Sequence, residues 1–283
     1  MDKEKLSQII ALAEKGDADA QYELGNCYMH GDGVEENWCT AFDWFLRSAK
    51  QGNAQAQSEV ADCYDFGFGV NSDLTEAYRW YLKAAEQGHA GAQYDVAEYL
   101  YFGNGVEMNR QEALKWYRQS ADNGFSPAQN ELGIFYETGE LVECDFCEAE
   151  KWYSKAAEQG DTTGQYNLAC LYMDCQNFVD KRDKCLELFM LSASDGSSDA
   201  MCNVGYCYEM GYGTEIDYKK ANEWYRRSAE LGNEVAALNL GESYELGKGV
   251  DIDLKEALKW YSVAAERGDE DAKKKVEELT KKQ

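Results

Sequence analysis

The sequence predicts an all-α protein, an α-solenoid built from antiparallel helix pairs, and three observations support this fold class. Glycine recurs at a constant spacing of 36 residues through seven intervals, which is the signature of small units stacked in a row. The chain has 25 glycines and a single proline, a balance typical of helices separated by glycine turns. Apolar residues within each interval follow helical spacing. The recurring glycines are Gly16, Gly52, Gly88, Gly124, Gly160, Gly196, Gly232 and Gly268.

The first half of the interval 53–88 predicts a helix that ends at two glycines. Ala56, Val60 and Tyr64 stand four residues apart and form one apolar stripe. Gly67 and Gly69 supply the backbone angles of a turn. The interval therefore opens with one helix and a tight turn.

The second half of the same interval predicts a helix that returns antiparallel to the first. Asp73 is placed as its N-cap, with Glu76 three residues later as the capping-box partner. A tryptophan recurs on the apolar stripe of this helix in six intervals, and we expect it to pack in the core rather than to form a ligand cage. These residues are Trp44, Trp80, Trp116, Trp152, Trp224 and Trp260.

The spacing predicts one continuous array over residues 1–283. Terminal helices at 1–16 and 269–283 are expected to cap it, because the end units have an unshared face. Seven repeats of 36 residues lie between them: 17–52, 53–88, 89–124, 125–160, 161–196, 197–232 and 233–268.

Short motifs within the repeats resemble two related families. L-G-x-x-Y and A-x-x-W-[YF] are similar to tetratricopeptide motifs. The 36-residue period, the G-x-G-V turn and the A-A-E-x-G ending resemble the Sel-1-like repeat (SLR) family, and this resemblance covers 17–268. It implies a right-handed superhelix whose first helices line the concave side, and an adaptor in signalling or complex assembly. Examples are Leu132, Gly133 and Tyr136; Ala257, Trp260 and Tyr261; and Gly31, Gly33 and Val34.

The composition is strongly acidic, with 53 Asp and Glu against 28 Lys and Arg, a net charge of -25. Such a surface repels phosphate backbones and anionic lipids, so neither nucleic acid nor membrane is expected as a partner. Two interpretations of the charge stay open. It either keeps a long molecule soluble or attracts a basic protein.

The cysteines and the N-terminus predict a cytoplasmic protein without a metal. The first residues, MDKEKLSQIIALAEKG, lack the pattern of a signal peptide, and no stretch is long and apolar enough to span a membrane. The ten cysteines are therefore expected to be reduced thiols. Cys144-x-x-Cys147 with Cys170, Cys175 and Cys185 superficially resembles a zinc set, but these residues fall at different repeat positions.

No motif predicts catalysis, and neither catalytic residues nor cofactors are expected. The chain has two histidines and no G-x-S-x-G, Walker or H-E-x-x-H pattern. Some cysteine-rich members of the similar family have been described as β-lactamases. This sequence lacks the S-x-x-K starting point of that chemistry, so a hydrolase is kept only as the last alternative.

The changing positions of the first helices form a stripe that predicts a binding groove. Its N-terminal half is acidic and its C-terminal half carries asparagines that can hydrogen-bond an extended peptide. Apolar anchors lie between them, as in interaction hot spots. The alternative is a solvated face with a few second-row core residues. The candidate residues are Glu23, Glu59, Asp62, Phe66, Asp95, Glu98, Phe102, Glu131, Ile134, Asn167, Asn203, Tyr206, Met210 and Asn239.

Repeat 161–196 departs most from the pattern. Cys175 and Asn177 replace its turn glycines, and Leu188 stands where tryptophan is expected. Repeat 125–160 also has Leu141 in place of its second turn glycine. Either these changes are drift in a redundant array, or they alter a loop that contacts a partner. We expect weaker packing in repeat 161–196.

These observations predict a non-catalytic scaffold or adaptor that binds another protein. The partner is expected to present a basic and partly apolar segment to the groove. A second hypothesis is an inhibitor or immunity-type protein that neutralises a basic partner such as a toxin, for which fast, charge-steered association would suit the acidity.

Overall fold

The computed structural model describes residues 2–281, and this part of the chain consists of helices and turns without a β-strand. One 3₁₀ segment, Gln176–Lys184, lies between α10 and α11. The sixteen α-helices of residues 2–281 are α1 Lys3–Glu14, α2 Ala18–His30, α3 Trp38–Lys50, α4 Ala54–Phe66, α5 Leu74–Glu86, α6 Ala90–Phe102, α7 Arg110–Asp122, α8 Ser126–Thr138, α9 Phe146–Glu158, α10 Thr162–Asp174, α11 Cys185–Ala193, α12 Ser198–Met210, α13 Tyr218–Glu230, α14 Glu234–Leu246, α15 Leu254–Glu266 and α16 Glu270–Lys281.

The helices confirm the predicted all-α repeat fold. Each predicted 36-residue repeat holds one helix pair, from α2 and α3 to α14 and α15. The chain divides into two compact units, Met1–Asp145 and Phe146–Gln283. The single array over 1–283 and its terminal caps remain predictions, and residues 1, 282 and 283 lie outside the described part.

The predicted helix caps are present. The Asp73 carboxylate accepts hydrogen bonds from the backbone N–H groups of Thr75 and Glu76. Asn53 Oδ1 accepts from Ala56 N at 2.8 Å, and the same cap begins the first helices at Asp17, Asp161, Ser197 and Asn233. The sequence did not identify His89, whose Nδ1 accepts from Ala92 N at 3.1 Å and caps α6. Histidine here acts as a cap acceptor, which requires its neutral form.

The turn between the two helices of a repeat depends on glycine. Gly67 ends α4 with a φ of 76°, in the left-handed region that glycine adopts without strain. A Cβ on Gly69 would lie 2.2 Å from the backbone oxygen of Trp38, so only glycine fits against the preceding repeat. Leu141 keeps the left-handed backbone with a φ of 63°, which strains a residue with a side chain.

The buried layer of the second helices consists of the aromatic residue after each tryptophan, which corrects the expected role of the tryptophans. Phe45, Tyr81 and Tyr117 are at most 2% exposed. Trp80 and Trp260 are buried, whereas Trp44, Trp116, Trp152 and Trp224 are half-buried. Neighbouring cations cover several of these rings, as where Lys83 Nζ lies 3.5 Å from the centroid of Trp80. The tryptophans therefore close the side of the core, and the following aromatic residues fill it.

A buried glutamine links successive helix pairs in the first compact unit. Gln57 Nε2 donates to the backbone oxygen of Ala49 at 3.1 Å. Gln57 Oε1 accepts from Gln87 Nε2 at 2.7 Å. The side-chain oxygens of Gln21 and Gln93 accept in the same way from Gln51 and Asn123, which stand thirty residues later in the chain. Each such glutamine thus has a partner for both of its amide atoms where the pattern is complete.

Repeat 161–196 has a changed interior. The 3₁₀ segment replaces the glycine turn, and its residue Phe178 is buried with a non-helical backbone. The second helix is shortened to Cys185–Ala193, nine residues instead of thirteen. Cys185 is buried and its thiol donates to the backbone oxygen of Ala169 at 3.5 Å. The lost turn glycines therefore shorten a helix, but buried aromatic and thiol side chains still fill the interior.

Candidate partner-binding site

The first helices of residues 2–145 carry an acidic stripe, defined here as Glu23, Glu59, Asp62, Asp95, Glu98 and Glu131. Its carboxylates stand on α2, α4, α6 and α8. Glu23, Glu59, Asp95 and Glu131 share one repeat position, and Asp62 and Glu98 share a second. Glu23 is exposed and the other five are half-buried. The structure therefore holds most of the predicted acidic residues in partly desolvated surroundings.

Partial burial and the repulsion of neighbouring carboxylates raise the pKa values of Glu59, Asp62, Asp95 and Glu131. Burial, followed by the charge of Asp62, raises the pKa of Glu59 to about 7. Burial, followed by the charges of Asp62 and Asp65, raises the pKa of Asp95 to about 7. Burial, followed by the charge of Glu98, raises the pKa of Glu131. Carboxylates from consecutive repeats therefore act on one another along the stripe.

Tyrosine hydroxyls from the second helices contact two carboxylates of the acidic stripe. Tyr81 Oη donates to Asp62 Oδ1 at 2.5 Å. Tyr117 Oη donates to Glu98 Oε1 in the next repeat. The sequence alone did not single out these tyrosines. Their place one residue after the tryptophan was the available signal, since the hydroxyls of Tyr81, Tyr117, Tyr225 and Tyr261 each contact a carboxylate of the first helix.

Within residues 2–281 no lysine or arginine forms an ion pair with Glu59, Asp62, Asp95, Glu98 or Glu131. The side-chain partners of Asp62 and Glu98 are the neutral hydroxyls of Tyr81 and Tyr117. Partly buried carboxylates without a cation attract one, because their Coulomb interaction is stronger at reduced dielectric. The arrangement can bind a lysine or arginine side chain brought by another molecule.

Exposed apolar side chains border the acidic stripe. Phe66 at the end of α4 is 65% exposed, and Phe102 at the end of α6 is 59% exposed. Phe66 stacks on Phe68 with ring centroids 5.6 Å apart. Ile134 on α8 is half-buried. Phe66 and Phe102 are therefore surface residues rather than second-row core.

The first helices of residues 146–281 carry an asparagine ladder, defined here as Asn167, Asn203 and Asn239, at the repeat position of Glu59 and Asp95. All three are half-buried. Asn203 Nδ2 donates to Tyr166 Oη at 3.4 Å. The ladder thus offers amide groups where the other compact unit offers carboxylates.

Carboxylates beside the asparagine ladder have lysine partners. Glu209 pairs with Lys248 at 2.7 Å and accepts from Tyr225 Oη at 2.8 Å. Glu245 has the same two kinds of partner, Lys275 at 2.9 Å and Tyr261 at 2.7 Å. Glu150 also has a lysine and a tyrosine partner, Lys181 and Tyr172. In this compact unit Glu150, Glu209 and Glu245 are therefore each neutralised by a lysine of the chain itself.

The predicted apolar anchors of the second compact unit are partly accessible. Met210 at the end of α12 is 45% exposed, and Tyr206 is half-buried. The Tyr206 ring meets Tyr212 edge to face, with centroids 6.0 Å apart. These two side chains lie on α12, the helix that carries Asn203.

None of the cysteines forms a disulfide within residues 2–281. Cys27, Cys63 and Cys207, which share one repeat position, are buried as expected of core residues, and burial raises the pKa of Cys63 to about 12. Among residues 2–281 no group of three His, Cys, Asp or Glu side chains is arranged to hold a metal ion. In the same part of the chain no helix has the length and apolar character needed to cross a membrane.

The fold and its repeats define a class, the helical repeat proteins of the Sel1 type. The Sel1 repeat model matches residues 18–53, 54–89, 90–125, 126–161, 162–197, 198–233 and 235–269. The chain therefore belongs to the Sel1 repeat family, which confirms the resemblance seen in the sequence. Sel1 repeat proteins are generally protein-interaction scaffolds.

Solved structures give the same fold. The chain is similar to c5321, a protective antigen of uropathogenic Escherichia coli strains with an SLR fold, at 34% identity and a TM-score of 0.87 over 95% of this chain. It spans 58% of the length of that protein. It also matches a Sel1 repeat protein from Oxalobacter formigenes at 29% identity and a TM-score of 0.72, over 87% of this chain and 99% of that one.

Other comparisons add no functional information. An immunity protein from Pseudomonas aeruginosa, Pa5087, matches at 23% identity over 76% of this chain and 81% of that one. Its TM-score of 0.41 is too low to bear on function. No curated protein matches the chain.

Proposed function

We propose that the protein is a non-catalytic scaffold whose first helices bind a basic, partly apolar segment of another protein. The observation that carries this proposal is the acidic stripe of residues 2–145, in which Asp62 and Glu98 accept from tyrosines and no half-buried carboxylate pairs with a lysine or arginine. A lysine or arginine of a partner would offset the burial and the repulsion that raise the pKa values of Glu59 and Asp95.

The second compact unit supports this mode of binding by showing it within the chain. There Glu209 accepts from Tyr225 and also pairs with Lys248. Asp62 accepts from Tyr81 in the same way but lacks the lysine. A partner lysine placed beside Asp62 would complete a carboxylate, tyrosine and ammonium group that this fold already forms elsewhere.

The exposed aromatic residues supply the apolar part of the proposed interaction. Phe66 and Phe102 end the helices that carry Glu59, Asp62, Asp95 and Glu98. Burying such side chains is favourable and rewards a partner that places an apolar residue near its cations. In residues 146–281 we propose that Tyr206, Met210 and the asparagine ladder bind a more neutral stretch of polypeptide.

A second candidate function is the neutralisation of a basic protein such as a toxin. The net charge of -25 favours it, because a strong field of one sign accelerates encounter with an oppositely charged partner. A neutralising partner should bind tightly and stay bound at high salt, whereas an adaptor peptide should dissociate as salt screens its charges.

We further propose a cytoplasmic location. It is supported by ten cysteines that form no disulfide within residues 2–281, since thiols persist in the reducing cytoplasm.

A charge-neutralising variant tests the proposed site. Glu59→Gln, Asp62→Asn, Asp95→Asn and Glu98→Gln are combined, and binding of a fluorescein-labelled peptide of alternating lysine and leucine is measured by anisotropy. We expect affinity to fall at least tenfold, since several desolvated charge contacts of about 1 kcal/mol are lost.

A matched control removes the same number of charges from exposed positions of the same compact unit. It replaces Glu4, Glu14, Glu86 and Glu107 by glutamine, and its affinity should stay within about twofold of the parent protein. Equal losses in the two variants would show attraction to net charge alone and would overturn the proposed site.

A further inference from the structure

Repeat 161–196 has an open cavity of about 280 Å³ on one flank of α9, α10 and α11. Its volume lies near the lower end of small-ligand pockets, which begin at roughly 300 Å³. Its rim is apolar on one side, where Leu191 is 47% exposed. The lining includes Ser154, Ala157, Gln165, Leu168, Leu188 and Leu191.

The repeat register explains why this space is empty. Leu188 occupies the position of Trp152, Trp224 and Trp260, so a smaller side chain replaces an indole. Two periods later, Trp260 is 7% exposed and packs in one core cluster with residues that include Ala229, Ala237 and Leu240. Their equivalents two periods earlier line the cavity, namely Ala157, Gln165 and Leu168. The cavity is therefore the place that an indole ring fills in repeat 233–268.

A buried acceptor without a partner lies in the cavity wall. Gln165 is 7% exposed, and its Oε1 has no hydrogen-bond partner. The equivalent Gln57 accepts from Gln87, thirty residues later. Thirty residues after Gln165 the chain has Asp195, whose ionised carboxylate cannot donate. An unpaired buried carbonyl of this kind costs free energy until a donor reaches it.

We propose that this cavity receives a tryptophan side chain of a partner polypeptide, with the indole N–H donating to Gln165 Oε1. This inference deepens the proposed function, on which it rests for the protein nature of the partner. The ring would take the place that Trp260 takes in its own repeat. Lys184 at the rim supplies a cation for the ring face, as Lys83 does for Trp80.

N-Acetyl-L-tryptophanamide is the direct probe, titrated into protein with ¹³C-labelled leucine methyl groups and followed by NMR. We expect saturable shifts at Leu168, Leu188 and Leu191, and none at Leu240, whose neighbouring site Trp260 already fills. The 1-methylindole analogue should bind about tenfold more weakly, because it leaves Gln165 Oε1 buried and unpaired.

Two variants sharpen the test. Leu188→Trp restores the side chain of the other repeats, so we expect it to fold with unchanged or higher Tm and to lose at least tenfold in probe affinity. Asp195→Gln gives Gln165 an internal donor, as Gln87 does for Gln57. In that variant the tryptophan probe and its 1-methyl analogue should bind with similar affinity.

Several outcomes would overturn the inference. These are the absence of saturable shifts up to the solubility limit of the probe, undiminished binding to Leu188→Trp, and equal binding of N-acetyl-L-phenylalaninamide. The inference would also be contradicted if free indole binds and the capped tryptophan does not, because that result indicates a small-molecule site. The acidic-stripe variant should keep full probe affinity, so failure here leaves the peptide experiment on the acidic stripe unaffected.

Discussion

The half-buried carboxylates that accept hydrogen bonds from tyrosines differ between the two compact units in their cation partners. In residues 2–145 Asp62 and Glu98 accept from tyrosines and have no cation. In residues 146–281 Glu209 and Glu245 accept from tyrosines and also pair with lysines. The tyrosine is constant, so the lysine distinguishes a self-neutralised surface from one that can attract an external cation.

The register of the carboxylate explains part of this difference. Tyr81 contacts Asp62, nineteen residues earlier, whereas Tyr225 contacts Glu209, sixteen residues earlier. The acid is displaced by about one helical turn toward the C-terminal end of the first helix. There it is close to the turn of the following repeat, from which Lys248 reaches it. The position of Glu209 and the presence of Lys248 in the following turn together give this acid its cation.

The largest expected effect is on the pH dependence of basic-peptide affinity. The pKa values of Glu59 and Asp95 are about 7, so lowering the pH from 8 to 6 should protonate these acids and weaken binding about tenfold. The measurement is anisotropy of the lysine–leucine peptide at constant ionic strength. A Glu59→Gln, Asp95→Asn variant should bind weakly with a flat profile, and an unchanged slope in that variant would refute the assignment.

The next largest expected effect is on the free energy of unfolding. The acids of the two units should make it change with pH in opposite directions. The pKa of Glu59 is raised in the folded state, so the native protein binds more protons than the unfolded chain between about pH 4.5 and 7. Its unfavourable contribution therefore grows as pH rises through that range, and is absent below it. Urea denaturation of the parent protein and of Glu59→Gln should show that Glu59 contributes a loss on the order of 1–2 kcal/mol between pH 5 and 8.

In the second unit, Glu150 should change stability with pH in the direction opposite to Glu59. Burial alone would raise the pKa of its carboxyl, but hydrogen bonds from Lys181 and Tyr172 outweigh burial and hold that pKa below its usual value. Its contribution to stability is present above about pH 4.5 and is lost as pH falls through the lowered pKa.

His89 must be replaced by asparagine in these experiments. Burial lowers the pKa of His89, and protonation would remove its α6 cap and oppose the Glu59 effect.

A smaller effect is expected from removing one lysine of the second unit. Lys248→Met leaves the half-buried Glu209 with Tyr225 alone, so the free energy of unfolding should fall by about 1 kcal/mol. Urea denaturation measures the change. Lys274→Met is the control, because its pair with Asp271 is exposed and should contribute nothing measurable. Equal behaviour of the two variants would mean that burial does not matter to the Glu209 pair.

The sequence predicts the fold well because each rule acts over a few residues. A glycine that ends a helix and an Asp73 that caps the next one are local, and both appear where expected. The relative burial of Trp80 and Tyr81 does not follow from local sequence rules, because either of two adjacent aromatic residues can belong to the apolar stripe of a helix. Only packing between repeats shows which of them is the more deeply buried.

The candidate site is predictable in position but not in chemistry. The acidic stripe follows from the repeat register, since positions that change between repeats face outward. The pairing of Glu209 with Lys248 joins residues 39 apart, and no sequence rule used above selects that lysine over its neighbours. The cavity beside Leu188 depends on a missing side-chain volume and on an unpaired Gln165 atom, which only coordinates reveal.

The smallest expected effect comes from carrying the acidic stripe into the second unit. Asn203→Asp places a carboxylate at the repeat position of Asp95, but Cys170 stands where Asp62 stands in the first unit, so little repulsion raises its pKa. Affinity for the lysine–leucine peptide should rise about twofold, since one partly exposed ion pair contributes less than about 1 kcal/mol. Anisotropy at low salt measures the gain, with Asn203→Gln as the neutral control. A gain as large as the loss in the acidic-stripe variant would show that cation binding needs only one acid per repeat, and not the mutual repulsion of neighbouring carboxylates.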